Sequence, residues 1–341
     1  MKQRRAIKRR DFLRIIGAGS VAGLAALALG RDDRSAASPG TVTETRLLMG
    51  TVVNLTLVTS DRRAGQAAID ACLNQMSGLE AVLSRYQPGS QLSRLNRDGS
   101  LAGASPHLVR VLREAQRIAA LTDGAFDVTV KPLVDLYQSS RDAGQGLPSA
   151  ESVASTLERV GYQRLDIGDD AISFTQAGMA ITLDGIAKGY IVDEGIATLR
   201  QFGFGNVLVE AGGDLSASGT KAQDAPWRIG IRSPREGEGR LLHTFNIADQ
   251  AAATSGDYMQ PYTDDLAAHH ILDPRTGFSA PELASATVVA SSGMEADALA
   301  TALMVMGAER GLALVETIPA CEAYVVTKTL RVLQSSGFAS A

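Results

Sequence analysis

ITLDGIAKGYIVDEGIATLRQFGFGNVLVEAGGDLSASG, residues 181–219, holds the pattern that decides the fold. Its apolar, β-branched opening up to Leu183 reads as a strand end, Asp184 and Gly185 make a turn, and Ile186, Tyr190, Ile191, Asp193 and Leu199 recur at helical spacing. Gly203 or Gly205 closes that helix, and Val207, Leu208 and Val209 form a second strand that turns at Gly212, Gly213 and Asp214 into a third. A helix start preceded by an acidic residue and a glycine, with Lys188 in its first turn, suits an anionic ligand. The free N–H groups and the dipole of such a helix attract negative charge. The same turn also serves packing alone, so this segment leaves both readings open.

Upstream, a strand is expected over 51–58, where Val53, Leu55 and Leu57 alternate with polar or smaller neighbours, and a helix over 63–83, where Ala67, Ile69, Cys72, Leu73, Met76 and Leu79 share one stripe. Residues 84–96 read as a polar loop carrying Tyr86, an exposed side chain or a stacking platform for a flat ligand. A second helix fits 106–121. After the turn at Gly124, Pro132 halts any strand, and 138–150 read as a surface loop. A helix over 150–160 then leads to short strands at 165–167 and 172–174. Downstream, strands fit 227–231, 241–247, 251–254, 286–290 and 323–327, and a helix fits 294–306. Helices and antiparallel-looking strand pairs mix without a steady βαβ alternation, which predicts an α+β fold in a single catalytic domain over 41–341.

A chain of 341 residues, 45% hydrophobic and 21% charged, can bury a sizeable core, and its net charge of -4 provides no basic field. Nucleic acid is therefore excluded as the main partner. Cys72 and Cys321 fit no metal spacing and are either a disulfide or two buried thiols. The first forty residues are set apart from the fold. MKQRRAIKRRDFLRIIGAGSVAGLAALALG, residues 1–30, has a basic start, the twin-arginine run Arg9, Arg10, Asp11, Phe12, Leu13, Arg14, and an apolar stretch over 15–29 that is short for a membrane span. A twin-arginine export signal and a periplasmic protein are expected, with a basic membrane-surface helix as the alternative. No cysteine lies near the small residues suited to cleavage, so no lipid anchor is expected.

Two segments carry candidate chemistry. Asp297 and Thr301 are four apart on the expected 294–306 helix, so both oxygens project from one face and suit a hard cation such as Mg2+. A dipole-favoured acid and a hydroxyl bonded back to its own turn would give the same spacing. HHILDPRTGFSA, residues 269–280, offers His270 as a base, and Arg275 either as a phosphate clamp or as a loop ion pair with Asp273.

The order MGT (49–51), SRYQPGSQLSRLN (84–96), GAFDVTVKPL (124–133), LDGIAKGYIVD (183–193), VEAGGDLSASG (209–219), ATSGDY (253–258), HHILDPRTG (269–277) and ADALATAL (296–303) resembles the ApbE-type family of FAD:protein FMN transferases. The resemblance implies a T-fold-like α+β domain that binds FAD with Mg2+, moves its FMN half onto a threonine hydroxyl of an acceptor flavoprotein, and releases AMP. It implies metal ligands at Asp297, Thr301 and the backbone carbonyl of Ala187. Flavin nucleotide contacts fall at Met49, Tyr86, Ala125, Phe126, Asp127, Asp184, Lys188, His270 and Ile271. Within that frame His270 is the candidate base and Asp257 the second; the neighbouring His269 makes the histidine assignment ambiguous by one position, and Glu295 could join the metal or cap its helix. The twin-arginine signal is similar to that of the NosX-like members of nitrous-oxide respiration. The implied client is then a membrane flavoprotein of that system or of the Rnf/Nqr type. An FAD pyrophosphatase and a non-catalytic FAD carrier are the alternatives.

Overall fold

The computed structural model describes residues 40–221, 224–235 and 240–338. The twin-arginine segment lies outside them.

The chain enters through a hairpin, β1 (Gly40–Leu48) and β2 (Thr51–Thr59). Met49 and Gly50 both take positive φ, 54° and 71°, and Leu48 pairs directly with Thr51. This is a two-residue mirror-image turn, whose twist matches that of the strands it joins. Helix α1 (Arg62–Leu83) starts where Asp61 accepts a hydrogen bond from the Ala64 N–H at 2.9 Å. Next come α2 (Gln91–Asp98), β3 (Ser100–Ala102), α3 (Pro106–Leu121), a 3₁₀ turn at Val128–Val130, α4 (Lys131–Asp142) and α5 (Ala150–Leu157). Strands β4 (Leu165–Ile167) and β5 (Ala171–Phe174) precede α6 (Ala187–Gln201), β6 (Val207–Ala211) and β7 (Asp214–Ser218). The rest is β8 (Trp227–Arg232), β9 (Leu241–Ile247), β10 (Ala251–Gly256), β11 (Leu283–Ala290), α7 (Gly293–Met306), α8 (Ala308–Val315), β12 (Glu322–Thr327) and β13 (Val332–Gln334).

Eight strands form one antiparallel sheet in the order β1-β2-β6-β7-β10-β11-β12-β13; β3-β5-β4 and β8-β9 form two small ones. Alternate residues of the large sheet feed two cores. Ala253, Val288, Val325 and their neighbours meet the helices, including α1, α6 and α7, whereas Ala252, Val289 and Val326 meet Trp227 and Phe245 of the β8–β9 hairpin. Both faces are covered, so all eight residues of β11 are buried. The α+β single-domain reading holds. Helices α6 and α7 cross so tightly at Gly189 and Gly293 that a Cβ on Gly189 would overlap the Gly293 carbonyl.

Several local expectations are corrected. Residues 181–183 form no strand: the Ile181 N–H and carbonyl bond the Asn96 side chain at 2.7 and 2.8 Å, and the Thr182 N–H bonds the Val128 carbonyl, so no ladder partner remains. The supposed loop 84–96 contains the start of α2, because Ser90 caps it and Leu92 and Leu95, three apart, are buried. Pro132 starts a helix: in the first turn its missing N–H costs nothing, and α4 then covers the beginning of the expected loop 138–150. Strand β1 lay unseen because Thr41, Thr43 and Thr45 on its outward side are polar, only Val42 is buried, and it forms the edge of the sheet. Cys72 and Cys321 are both buried and free.

Candidate functional site

The first turn of α6 meets the first turn of α7. Asp297 is 3% exposed, and its Oδ2 accepts a hydrogen bond from the Gly189 N–H at 3.2 Å. Thr301 follows one turn later, with its Oγ1 3.1 Å from the Ser255 hydroxyl of β10. A Cβ on Gly185 would stand 2.7 Å from that Thr301 oxygen, so the glycine keeps the hydroxyl uncovered. Asp214, at the start of β7, is buried and forms an ion pair with Lys188 of α6. Burial raises the pKa of Asp214 against the pull of Lys188; burial and the nearby Asp214 together raise that of Asp297. Burial works against the Lys188 charge, but Asp214 and Asp297 outweigh it and hold the ammonium protonated.

This corner fits a hard cation. Two buried carboxyl groups face a single lysine, burial holds both toward their protonated forms, and a bound cation would favour their ionised ones; the Thr301 hydroxyl lies one helical turn beyond Asp297. Ala187, whose carbonyl is the remaining implied ligand, opens the helix whose Gly189 amide touches Asp297. Among the described residues no group of three His, Cys, Asp or Glu could hold a metal, so a cation here needs carbonyl, hydroxyl and substrate oxygens, the habit of Mg2+.

Arg85, Tyr86 and Asp184 make a second cluster. Tyr86 is 65% exposed, but its hydroxyl donates to Asp184 at 3.2 Å and accepts from Arg85 at 2.7 Å. Arg85 also donates from Nε to Asp184 at 2.7 Å and holds its guanidinium 4.3 Å from the Tyr86 ring centroid. Partial burial and Asp184 push the Tyr86 phenol up to about 12. The ring is thus a fixed, exposed platform. Asp184 also bears electrostatically on Asp297, Lys188 and His270, which ties the two clusters into one site.

The two neighbouring histidines differ in their hydrogen bonds. His269 is buried; Nε2 donates to the Ala280 carbonyl at 2.9 Å, so Nδ1 is the acceptor for the Ile271 N–H at 3.3 Å. Both ring nitrogens are spent. His270 is half-buried, and its Nδ1 has no hydrogen-bond partner among the described residues. Burial, helped by His269, pushes its pKa down to about 4, so the ring is neutral at neutral pH.

Asp257 has a different setting. It is 0% exposed, both its oxygens bind Arg235 at 2.7 and 2.6 Å, and Lys328 stands 3.9 Å away. A carboxylate so committed suits a structural ion pair, whereas the His270 ring keeps a nitrogen without a partner among the described residues. Asp273 and Arg275 pair with each other at 2.8 and 2.9 Å, the loop-stabilising alternative. Glu295 turns to Arg117 at 2.8 Å and so is engaged away from Asp297.

Ala125, Phe126 and Asp127 are buried. Asp127 accepts from the Thr129 N–H and hydroxyl at 2.7 and 2.6 Å and from the Tyr162 N–H at 2.8 Å. Its carboxylate holds the turn, so this run can offer a ligand mainly its backbone. Met49 occupies the hairpin turn with its N–H on Glu80 at 3.2 Å, and Ile271 is buried beside the histidines. Sequence reading missed Arg85, Asp193, Asp214 and Ser255 as members of this neighbourhood. Asp214 was visible only as a turn residue, and Arg85 only as a neighbour of Tyr86.

Comparison with known proteins gives a consistent result. The model of the ApbE family matches residues 49–325. The FAD:protein FMN transferase of Vibrio cholerae serotype O1 is 35% identical over 277 residues, covering 79% of this chain and 82% of that protein. A solved flavin transferase ApbE from Vibrio cholerae superposes with a TM-score of 0.74 at 32% identity, covering 88% of this chain and 98% of its own. The ApbE protein of Thermotoga maritima gives 0.79 at 29% identity, covering 87% and 97%.

Proposed function

The chain belongs to the ApbE family, and on that premise we propose that it cleaves FAD at the pyrophosphate and attaches the FMN half to a threonine of an acceptor protein, releasing AMP. Its enzyme class and FAD as substrate follow from relatives named FAD:protein FMN transferase. The observation that carries the finer reading is the cluster of Asp297, Thr301, Lys188 and Asp214 at the α6 start, electrostatically joined to the neutral His270.

In the proposed reaction the threonine oxygen bonds to the FMN phosphorus, the phosphorus–bridging-oxygen bond breaks, and AMP departs with that oxygen. Asp297, Thr301 and the Ala187 carbonyl would hold Mg2+, which when bound supplies charge neutralisation at the pyrophosphate. Lys188, held by Asp214, adds fixed positive charge at a helix start. Tyr86, fixed by Arg85 and Asp184, offers a face on which a flat ring stacks. His270 takes the hydroxyl proton. Its depressed pKa keeps the ring unprotonated but weakly basic, so proton transfer accompanies bond formation instead of preceding it.

The twin-arginine run at Arg9 and Arg10 supports export of the folded protein to the periplasm. The client there is a membrane flavoprotein, of nitrous-oxide respiration or of the Rnf/Nqr type. Replacing both arginines by lysine should retain the protein in the cytoplasm, and undiminished periplasmic protein would reject the export route.

The deciding experiment incubates residues 41–341 with FAD, Mg2+ and a flavoprotein domain bearing an acceptor threonine, and reads the acceptor mass. A gain of FMN less one water, lost on chelation, supports the transferase. Free FMN and AMP with an unmodified acceptor indicate a pyrophosphatase, and intact bound FAD indicates a carrier.

A further inference from the structure

The α7 start carries more capping than a helix needs. Ser292 accepts from the Glu295 N–H at 3.2 Å, and the Ser292 carbonyl accepts from Ala296. Asp193, from the second turn of α6, then takes the two earlier N–H groups: Gly293 on Oδ1 at 2.8 Å and Met294 on Oδ2 at 3.0 Å. One turn back on α6, the Gly189 N–H returns a bond to Asp297, one turn into α7. The helices therefore clasp each other twice, in opposite directions, across the glycine contact of residues 189 and 293.

Resting on the metal reading above, we propose that Asp193 is a positioning residue for the cation site. Its carboxylate sets the axial register of α7 against α6 and so the place of Asp297 relative to Lys188 and the Ala187 carbonyl. It touches neither substrate nor cation. A one-bond slip along this contact would leave both helices formed and the oxygen set misplaced, because Ser292 still starts α7.

The test is calorimetric titration of Mg2+ into wild-type, Asp193→Asn and Asp193→Ala protein, each saturated with FAD to supply the substrate oxygens and kept without acceptor, with circular dichroism and melting temperature recorded for each. The Ala variant should weaken Mg2+ binding by about 10–100-fold, the usual loss when a partner of a metal ligand is removed. The Asn variant retains one acceptor oxygen and should fall between it and wild type, which carries the test if the Ala variant does not fold. Turnover at saturating Mg2+ should recover in both, moving the Mg2+ requirement rather than the maximal rate.

Cys72→Ala supplies the control, since the thiol packs against Gly195 of the same helix at 3.5 Å from its carbonyl. It should lower the melting temperature without changing Mg2+ affinity. A folded Asp193→Ala protein with wild-type Mg2+ affinity overturns the proposal alone. A wild-type protein that takes up no Mg2+ overturns the metal reading and this inference together.

Discussion

Lys188 on α6 and Asp214 on β7 form an ion pair in which the lysine side chain is 33% exposed and the aspartate 2%. The only lysine in the helix start is thus anchored by the sheet, and its charge is fixed before any phosphate arrives. Asp214→Asn should lower stability in urea by roughly 2 kcal/mol, less than for a fully enclosed pair because the ammonium keeps some water. FMN transfer should fall with it as Lys188 loses its orientation; unchanged urea midpoint and unchanged rate would show the pair to be idle.

Asp297→Ala should abolish Mg2+-dependent turnover and leave the fold intact. Burial beside Asp214 makes an ionised Asp297 costly in the metal-free protein, and its removal relieves that cost while stranding the Gly189 N–H, so metal-free stability at neutral pH should change by no more than about 1–2 kcal/mol. A melting curve and an FMN-transfer assay on the same sample check both halves, and persistent turnover would sink the ligand assignment.

His270 gives a pH signature. Its folded pKa, about 4, lies below the ordinary value of 6.5, so the native state favours the neutral ring. The stability this brings is complete above pH 6.5 and is lost as the pH falls through about 4. The loss should approach about 3 kcal/mol at 1.4 kcal/mol per unit. His270→Gln should flatten that part of the stability curve, measured by denaturant titration between pH 7 and 4, as well as slow transfer at neutral pH.

Arg85→Ala should weaken FAD binding nearly as much as Tyr86→Ala, although Arg85 is the less exposed of the two, because it holds the ring from both its edge and its face. About 1 kcal/mol, or roughly fivefold in Kd, is expected for the loss of one oriented aromatic contact. Fluorescence quenching of FAD reads it directly, and a wild-type Kd in Arg85→Ala would show that Tyr86 needs no such support.

Asp127 should behave as a structural residue. Asp127→Ala strands the Thr129 and Tyr162 N–H groups inside the fold and should cost about 2–3 kcal/mol. The stability loss should exceed the change in FAD affinity of the protein that remains folded; the reverse ordering would assign the carboxylate to the ligand.

The helices and strands with one clear stripe were readable from the sequence. The 106–121 helix and the strand at 241–247 were placed at their observed ends, because amphipathic spacing is written in the residues themselves. The spacing of Asp297 and Thr301 put two oxygens on one helical face, and the ordered motifs identified the family. What failed was local structure whose partners are remote. Ile181 is extended and apolar like a strand, yet its hydrogen bonds go to the Asn96 side chain, 85 residues earlier. The polar segment ahead of it hides a helix whose buried face is only Leu92 and Leu95.

Sequence alone determined the α+β class and the family, and it nominated candidate residues for the site, since these depend on residue type and near-neighbour spacing. Only the tertiary structure decided which of them is free to act. It spent both nitrogens of His269 and both oxygens of Asp257 on internal partners, left His270 Nδ1 without one among the described residues, and joined Lys188 to Asp214 across 26 residues. The physical reason is that hydrogen bonds and desolvation are settled by whatever the fold brings within about 3 Å, and no local pattern in the chain encodes that.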